Sequence, residues 1–415
     1  MTKKDVLTLL LILLPNLFLR AYRLDYTGGA IFDEKAYYLD ASRSYLEGRD
    51  DPNIEHPPLG KELVAFGIRL FGDNPYGWRI PSLFFSLIGI ALTYFLAKEM
   101  MGGYLAPVLS SVLLSLDNMY FIHSRLAVLE MFLVTFILGM ALFLWRYFQK
   151  SKLTDLALLS IFFGLGISTK WTAVLALPLI VVFLYFRKKS FPRLVLELAI
   201  ITFTAGLIYI LSYLPYIEKH SFWGFLVHQQ TIVGFWLNFG NKTEYNWLGY
   251  ILTHAFVWLF NPSWDYDLRI IDESKVGFVR SMFNPVIFWF SIYLTVRSFK
   301  DYLKAKDRRL FFLLLPILLN FFPWLLVKRV QYLYYLLFSL PFMCLLISYY
   351  LSKKYRENQD GKYQTVWFVA TAALVFIYFY PLLTSVPVSK RYLSPLTVGP
   401  IIVEDKGGNT LATVR

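Results

Sequence analysis

Two short charged motifs lie close together near the start of an otherwise apolar chain. The first is Phe32, Asp33 and Glu34, and the second is the run from His56 to Lys61, which reads His-Pro-Pro-Leu-Gly-Lys. Adjacent carboxylates point in different directions on a helix or cap, so we expect one of them to act alone. A carboxylate at a membrane edge is partly desolvated, which raises its proton affinity and suits a general base. The alternative for Asp33 is a helix N-cap.

The second motif combines an imidazole and an ammonium at the predicted start of a helix. His56 and Lys61 are about one turn apart, and a helix start itself favours anions. A lipid-linked phosphate fits this arrangement. Because the two prolines carry no amide hydrogen, the cationic side chains would make much of the contact. The alternative is a proline-initiated helix with a solvated lysine.

The composition predicts a membrane setting for both motifs. Of 415 residues, 57% are hydrophobic and 17% are charged, and stretches of about 18 or more apolar residues recur. The net charge of +13 comes from short basic clusters between these stretches. Such clusters are typical of cytoplasmic loops, so they do not indicate nucleic-acid binding. The single Cys344 excludes an intrachain disulfide and a cysteine-built metal site.

The apolar stretches predict an all-α polytopic membrane protein with about eleven transmembrane helices. The predicted spans are residues 5–23, 81–98, 104–118, 126–147, 154–170, 172–187, 195–215, 284–299, 309–327, 331–351 and 364–383. With a cytoplasmic N-terminus, the basic clusters fall on the inner side. Segment 248–260 is short and is interpreted as an interfacial or re-entrant helix.

This topology gives one membrane domain, residues 1–383, and an extracytoplasmic C-terminal tail, residues 384–415. Its long outer loops are residues 24–80 and 216–283. The first loop is expected to hold two amphipathic helices along the membrane surface. Asp33 would cap one helix, which Gly48 ends, and Gly72 would end the other.

Further charged residues lie at the outer ends of the predicted spans. Arg125 and Glu130 are five positions apart and are predicted to form an ion pair. Outer cations run against the usual charge bias, so an anionic ligand is expected to hold them. The alternative is that they only anchor the span ends. These cations are Arg20, Arg79, Arg125, Lys170 and Arg329.

Taken together, the motifs resemble the protein O-mannosyltransferases, which use dolichyl phosphate mannose. Besides the two motifs above, the resemblance rests on residues 124–130, 166–171 and 284–286. It implies a type C glycosyltransferase fold, an extracytoplasmic active site and inversion at the sugar carbon. The soluble domain that eukaryotic members insert in an outer loop is absent, as in prokaryotic relatives.

The resemblance also assigns roles to individual residues. The family's catalytic aspartate falls on Asp33, its neighbouring acid on Glu34 and its first-span arginine on Arg20. Donor-side roles fall on His56, Arg79 and Arg125, while Glu130 stands where the family more often has aspartate.

The sequence therefore predicts a plasma-membrane enzyme that moves a sugar, by resemblance mannose, from a polyprenyl phosphate to Ser or Thr hydroxyls of exported proteins. Its partners would be the lipid donor, a protein or peptide acceptor and membrane lipids. No metal site is predicted, and a divalent cation is left open as a cofactor. Asp33 and Glu34 are the catalytic candidates, and the donor-binding candidates are Arg20, His56, Lys61, Arg79, Arg125, Glu130, Lys170 and Arg329.

Three alternatives stay open at this point. The related aminoarabinose transferases of lipid A also carry an early acidic pair and a Pro-Pro motif, so the sugar stays open and a lipid is the alternative acceptor. A transporter or flippase of lipid-linked sugars would instead place polar sites near the bilayer midplane and often shows repeated halves. A structural membrane subunit would leave the outer cations unexplained.

Overall fold

Long apolar helices form the body of the protein, which is represented by a computed structural model. The structure describes residues 2–26, 29–31, 33–188, 190–238, 255–260, 263–270, 275–326, 331–393, 401–404 and 410–414. A helix lies over each segment that was predicted to span the membrane. These helices are α1 (Lys3–Ala21), α4 (Pro75–Met101), α5 (Leu105–Ser115), α7 (Glu130–Lys150), α8 (Leu153–Thr169), α9 (Leu177–Lys188), α10 (Phe191–Ser212), α13 (Pro285–Ala305), α14 (Arg308–Leu326), α15 (Leu340–Glu357) and α16 (Gln359–Thr384).

Shorter or peripheral helices lie between them. They are α2 (Leu39–Glu47), α3 (Leu59–Phe71), α6 (Asn118–His123), α11 (Leu214–Asn238), α12 (Ala255–Trp258) and α17 (Lys390–Leu393). Two 3-10 turns, Trp171–Ala176 and Leu333–Phe338, precede α9 and α15. Helix α11 is kinked at Ser221. The predicted helix at 248–260 lies mostly outside the described residues, which include only α12 and the turn after it.

The helix ends follow local sequence signals. Asn74 caps α4 by accepting hydrogen bonds from the amides of Tyr76 and Gly77, and Pro75 fills the first helical position. The helix ends at Gly102, whose φ of 63° favours glycine. Asn358 caps α16 in the same way by accepting from the amide of Gly361. These caps fix where the apolar segments begin.

Five helices in the described part of the chain are long and apolar enough to cross a membrane: α4, α7, α10, α14 and α16. Three further apolar helical segments are shorter. Phe203 on α10 and Trp367 on α16 are 75% and 70% exposed, as expected for side chains that face lipid. The total of about eleven spans stays a prediction.

Helix α7 lies at the centre of the bundle. Its side chains are buried along most of its length, and it packs against α4 and α8. Gly139 lets the ring of Phe162 on α8 approach so closely that an added Cβ would collide with it. Since apolar burial does not drive association between helices in lipid, close packing of this kind has to hold them together. This packing holds α7 closely against α8.

The first outer loop folds largely as predicted. Gly48 ends α2 in the left-handed region with a φ of 67°, and Gly72 follows α3. The prediction that Asp33 is a helix cap is wrong, because its backbone is already helical, its side chain makes no capping bond, and a π-helical turn, Glu34–Tyr38, follows it. In α3 the buried stripe is Val64 and Ile68, whereas Phe66 and Leu70 are exposed.

A small sheet was not predicted from the sequence. Strand β1 (Ser263–Ile270) pairs antiparallel with β2 (Lys275–Met282), and β2 pairs with β3 (Val388–Ser389). The C-terminal tail is therefore attached to the second outer loop. Strands β4 (Ile401–Glu404) and β5 (Thr410–Val414) form a separate pair. The sheet adds to a fold that is otherwise helical, as predicted.

Candidate active site

Asp33 lies in a cavity of about 320 Å³ with aromatic walls. Its polar lining includes Asp33, Glu55, His56 and Lys170. Its aromatic lining comes from the turn before α2, the turn before α9, α11, α14 and the turn before α15. These aromatic side chains are Tyr37, Tyr38, Trp171, Trp236, Trp324, Tyr332, Tyr334 and Tyr335. We call this the Asp33 cavity. Stacked aromatic faces with a few polar groups suit a sugar or a lipid-linked sugar.

The pKa of the Asp33 side chain lies near neutral pH. Asp33 is buried, with 7% of its surface exposed. Burial, with the negative charge of Glu130 added to it, raises the pKa of Asp33 to about 7. The positive charge of Lys170 and a hydrogen bond with Tyr334 act in the opposite direction. At pH 7 a carboxylate with this pKa is partly ionised and has a high enough proton affinity to be an effective general base.

Glu34, the other predicted catalytic acid, points away from the cavity into the protein. Its Oε1 accepts from Arg79 Nε at 2.8 Å and from the Ala127 amide at 2.7 Å. Its Oε2 accepts from Arg79 Nη2 at 2.7 Å and from the Ile31 amide at 3.0 Å. The residue is fully buried. Glu34 therefore ties the first outer loop to α4 and to the segment before α7.

Glu130 and Lys170 form a buried ion pair beside Asp33. Lys170 Nζ is 2.7 Å from Glu130 Oε1 and also lies over the rings of Tyr334 and Tyr335. Among the described residues, Glu130 Oε2 has no hydrogen-bond partner although it is buried. The predicted pair of Glu130 with Arg125 is wrong. Arg125 instead donates to the backbone carbonyls of Arg20, Tyr22 and Arg23.

His56 reaches the cavity at the end of a loop that Lys61 holds. The imidazole packs against the rings of Tyr38 and Trp236, with centroids 6.3 and 5.9 Å away. Lys61 Nζ forms an ion pair with Asp51 and donates to the carbonyl oxygens of Asn53 at 2.6 Å and His56 at 2.7 Å. Lys61 is fully buried, and its three donors are used. It positions the loop and does not line the cavity.

The predicted arginines also lie outside the lining of the Asp33 cavity. Arg79 donates to Glu34 and to the carbonyls of Leu24 and Gly29. Arg20 is fully buried, donates to Asn16 and lies over the ring of Phe121. Its Nε and Nη2 have no partner among the described residues. Arg329 is outside the described residues. Of the predicted cations, the structure thus brings His56 and Lys170 into the cavity.

Tyr334 is a site residue that the sequence reasoning missed. Residues 331–335 read as the start of an apolar span, but α15 begins only at Leu340 and the preceding segment is a 3-10 turn. The signal that could have revealed it is the cluster of tyrosines at 332, 334 and 335, which is unusual inside a membrane span. Within the described ranges, no group of three His, Cys, Asp or Glu side chains is arranged to hold a metal ion.

The chain is similar in sequence to known proteins. Residues 55–216 match the family model described as dolichyl-phosphate-mannose-protein mannosyltransferase. Over 443 positions, the chain is 24% identical to the polyprenol-phosphate-mannose–protein mannosyltransferase of Mycolicibacterium smegmatis, with 88% of this chain and 86% of that protein covered. Both matches agree with the family that the motifs resemble.

Two further relatives match over shorter segments. The Corynebacterium glutamicum protein with the same name is 30% identical over 182 residues, which are 36% of this chain and 35% of that protein. An uncharacterised Aquifex aeolicus protein is 31% identical over 217 residues, which are 49% of this chain and 42% of that protein. The matches thus span less than half the length of these two relatives.

Solved structures confirm the predicted fold. A chain of the S. cerevisiae protein O-mannosyltransferase Pmt1-Pmt2 complex bound to the sugar donor has a TM-score of 0.81 at 12% identity, with 95% of this chain and 92% of that chain covered. ArnT from Cupriavidus metallidurans in the apo state has a TM-score of 0.59 at 13% identity, with 91% and 75% covered. The chain has the type C glycosyltransferase fold and is an integral membrane protein.

Proposed function

We propose that this protein is an inverting glycosyltransferase that moves mannose from a polyprenyl phosphate to Ser or Thr hydroxyls of exported proteins. The observation that carries the proposal is the buried carboxylate of Asp33, with a pKa of about 7, in an aromatic cavity beside the Glu130–Lys170 pair. The names of the mycobacterial and corynebacterial relatives support the donor and the acceptor class.

In this proposal Asp33 is the general base. Its carboxylate takes the proton of the acceptor hydroxyl as the hydroxyl oxygen attacks the anomeric carbon. The new carbon–oxygen bond forms on the face opposite to the bond that breaks, so the configuration inverts. The bonding electrons leave with the phosphate oxygen, giving polyprenyl phosphate. A phosphate leaving group needs no strong acid, but it does need stabilisation of its negative charge.

His56 and Lys170 are the cationic candidates for that stabilisation, since both line the Asp33 cavity. Glu130 holds Lys170 in place, and its negative charge adds to the effect of burial in raising the pKa of Asp33. The aromatic walls would hold the sugar and the adjoining part of the polyprenyl chain. Arg20, Arg79, Arg125 and Lys61 support this cavity from outside its lining, and Glu34 fixes the backbone next to Asp33.

The proposed location is the cell membrane, with the active site on the extracytoplasmic side. The support is the direction of α7, which begins at Glu130 beside the Asp33 cavity and ends at Lys150 among the basic clusters. Basic clusters mark the cytoplasmic side of a membrane protein. The proposed division into a membrane domain, 1–383, and an outer tail, 384–415, follows from the same sidedness.

The test is product analysis in proteoliposomes. Purified protein is supplied with polyprenyl phosphate mannose and a Ser/Thr-rich peptide, and the peptide is examined by mass spectrometry. The proposal expects a hexose on Ser or Thr with the wild type and none with Asp33→Asn. Sugar found on a lipid acceptor instead would favour the aminoarabinose-type alternative. Donor that crosses the bilayer without any transfer would favour a flippase.

A further inference from the structure

A second large cavity lies at the far end of α7 from Asp33. It has a volume of about 680 Å³ and is formed where α4, α7 and α9 end and α14 begins. We call it the basal cavity. Helix α7 has 21 residues from Glu130 to Lys150, or about 30 Å at the usual helical rise. The two cavities are therefore separated by about the thickness of a hydrocarbon core.

The basal cavity has an excess of positive charge. Its lining includes five cationic and two acidic side chains. Lys150 pairs with Glu99 at 2.8 Å, and Arg309 pairs with Asp307 at 2.7 Å. In the part of the chain that the structure describes, Lys306 and Arg308 have no carboxylate partner. Two positive charges at the cavity are thus left without a counter-charge.

Arg187 adds a buried donor to the same cavity. Its side chain is 2% exposed and forms an ion pair with Glu197. It also donates to Ser151 Oγ at 2.8 Å and to the hydroxyl of Tyr147 at 3.2 Å. Its Nε, however, is buried and has no partner among the described residues. A buried guanidinium donor that is left unsatisfied is costly unless a ligand or water fills the site.

Apolar side chains border the cations. Trp145 and Phe148 line the cavity, and the guanidinium of Arg308 lies over the Phe148 ring at 5.4 Å. Lys306 Nζ lies 5.4 Å from the centre of the Tyr302 ring. The aromatic rings hold these two cations in place while leaving their donors available. The site therefore combines a phosphate-binding set of cations with a wall suited to hydrocarbon.

We propose that the basal cavity binds the phosphate headgroup of an anionic phospholipid from the leaflet next to it. Lys306, Arg308 and Arg187 contact the phosphate oxygens, and the aromatic wall contacts the glycerol and the start of the acyl chains. Basic pockets between membrane helices bind such headgroups by this chemistry. A bound lipid would join the ends of four helices opposite the Asp33 cavity. The inference is independent of the reaction proposed for Asp33.

The test is native mass spectrometry of the full chain in detergent, titrated with phosphatidylglycerol and, separately, with zwitterionic phosphatidylcholine. The wild type is expected to retain phosphatidylglycerol at much lower concentration. A double variant, Lys306→Gln with Arg308→Gln, should weaken this binding by about thirtyfold, the loss expected when two cations near a lipid headgroup are removed. Equal binding of the two lipids by the wild type would overturn the proposal.

The matched control is Lys300→Gln with Lys304→Gln, which removes the same charge from exposed positions on α13 outside the cavity lining. It should bind phosphatidylglycerol like the wild type, and Arg308→Lys should retain most of the binding. Equal losses in both double variants would mean nonspecific charge attraction and contradict the proposal. Displacement of the lipid by equimolar inorganic phosphate would mean that the site takes a free phosphate, which would also overturn it.

Discussion

Charged side chains are buried in two different ways around the first outer loop. In the framework group, Glu34, Arg79 and Lys61 have their donors and acceptors used by backbone and side-chain partners. The cavity group is Asp33, Glu130 and Lys170. Here Glu130 Oε2 lacks a partner among the described residues, and the pKa of Asp33 is raised to about 7. A buried charged group whose donors and acceptors are all used stabilises the structure. One that has an unused donor or acceptor can exchange a proton or bind a ligand.

The largest effect is expected from Asp33→Asn. Loss of a general base lowers the transfer rate by about 10²–10⁴-fold, measured with a radiolabelled donor in proteoliposomes. The matched control, Asp40→Asn, makes the same change at an exposed position on α2 and should leave the rate within twofold. A transfer rate within tenfold of wild type for Asp33→Asn would contradict the assignment of Asp33.

The same variant should not lose thermal stability. The folded-state pKa of Asp33 is raised above its usual value, so the folded protein binds more protons than the unfolded chain between about pH 4 and 7. Stability from this group therefore falls as the pH rises through that window. Above pH 7 the buried negative charge is a cost that Asn removes, and the melting temperature at pH 8 should stay equal or rise.

The ion pair of the framework group, Glu34 and Arg79, should respond in the opposite way, with a loss of stability. Glu34→Gln or Arg79→Gln leaves an unpaired buried charge and should destabilise the protein by about 3–5 kcal/mol, seen as a large drop in melting temperature. Replacing both, with Glu34→Leu and Arg79→Met, should cost less than the sum of the single changes. If Glu34→Gln kept its melting temperature but lost transfer activity as Asp33→Asn does, Glu34 would belong to the catalytic machinery.

A smaller effect is expected from replacing Lys61, the third member of the framework group. Lys61→Met should free the loop that carries His56 and lower kcat/KM about tenfold, mainly through KM, since 1.4 kcal/mol corresponds to a factor of ten. The control is Arg49→Gln, which removes an exposed charge from the neighbouring turn. If Lys61→Met left the loop's protection from hydrogen exchange intact and still weakened donor binding, direct contact with the phosphate would be the better explanation.

Sequence reasoning located the elements better than it located the side chains of the site. The apolar periods and the signals at Gly48 and Gly72 predicted the helices because such signals are local. Which cations face the cavity depends on partners far along the chain. Arg125, for example, is occupied by carbonyls about 100 positions earlier, and no local pattern shows this. Tyr334 was missed because an apolar run hides a 3-10 turn.

The pH dependence of kcat/KM tests the central role of Asp33 most directly, because it reports the ionisation of the free enzyme's base. The rate is expected to rise with pH and level off above about pH 7, matching the pKa of Asp33. Glu130→Gln should move this midpoint to lower pH, since the negative charge of Glu130 raises that pKa. His56→Asn should keep the rising limb. A profile that is flat from pH 5 to 8.5, or one that His56→Asn abolishes, would contradict the role of Asp33.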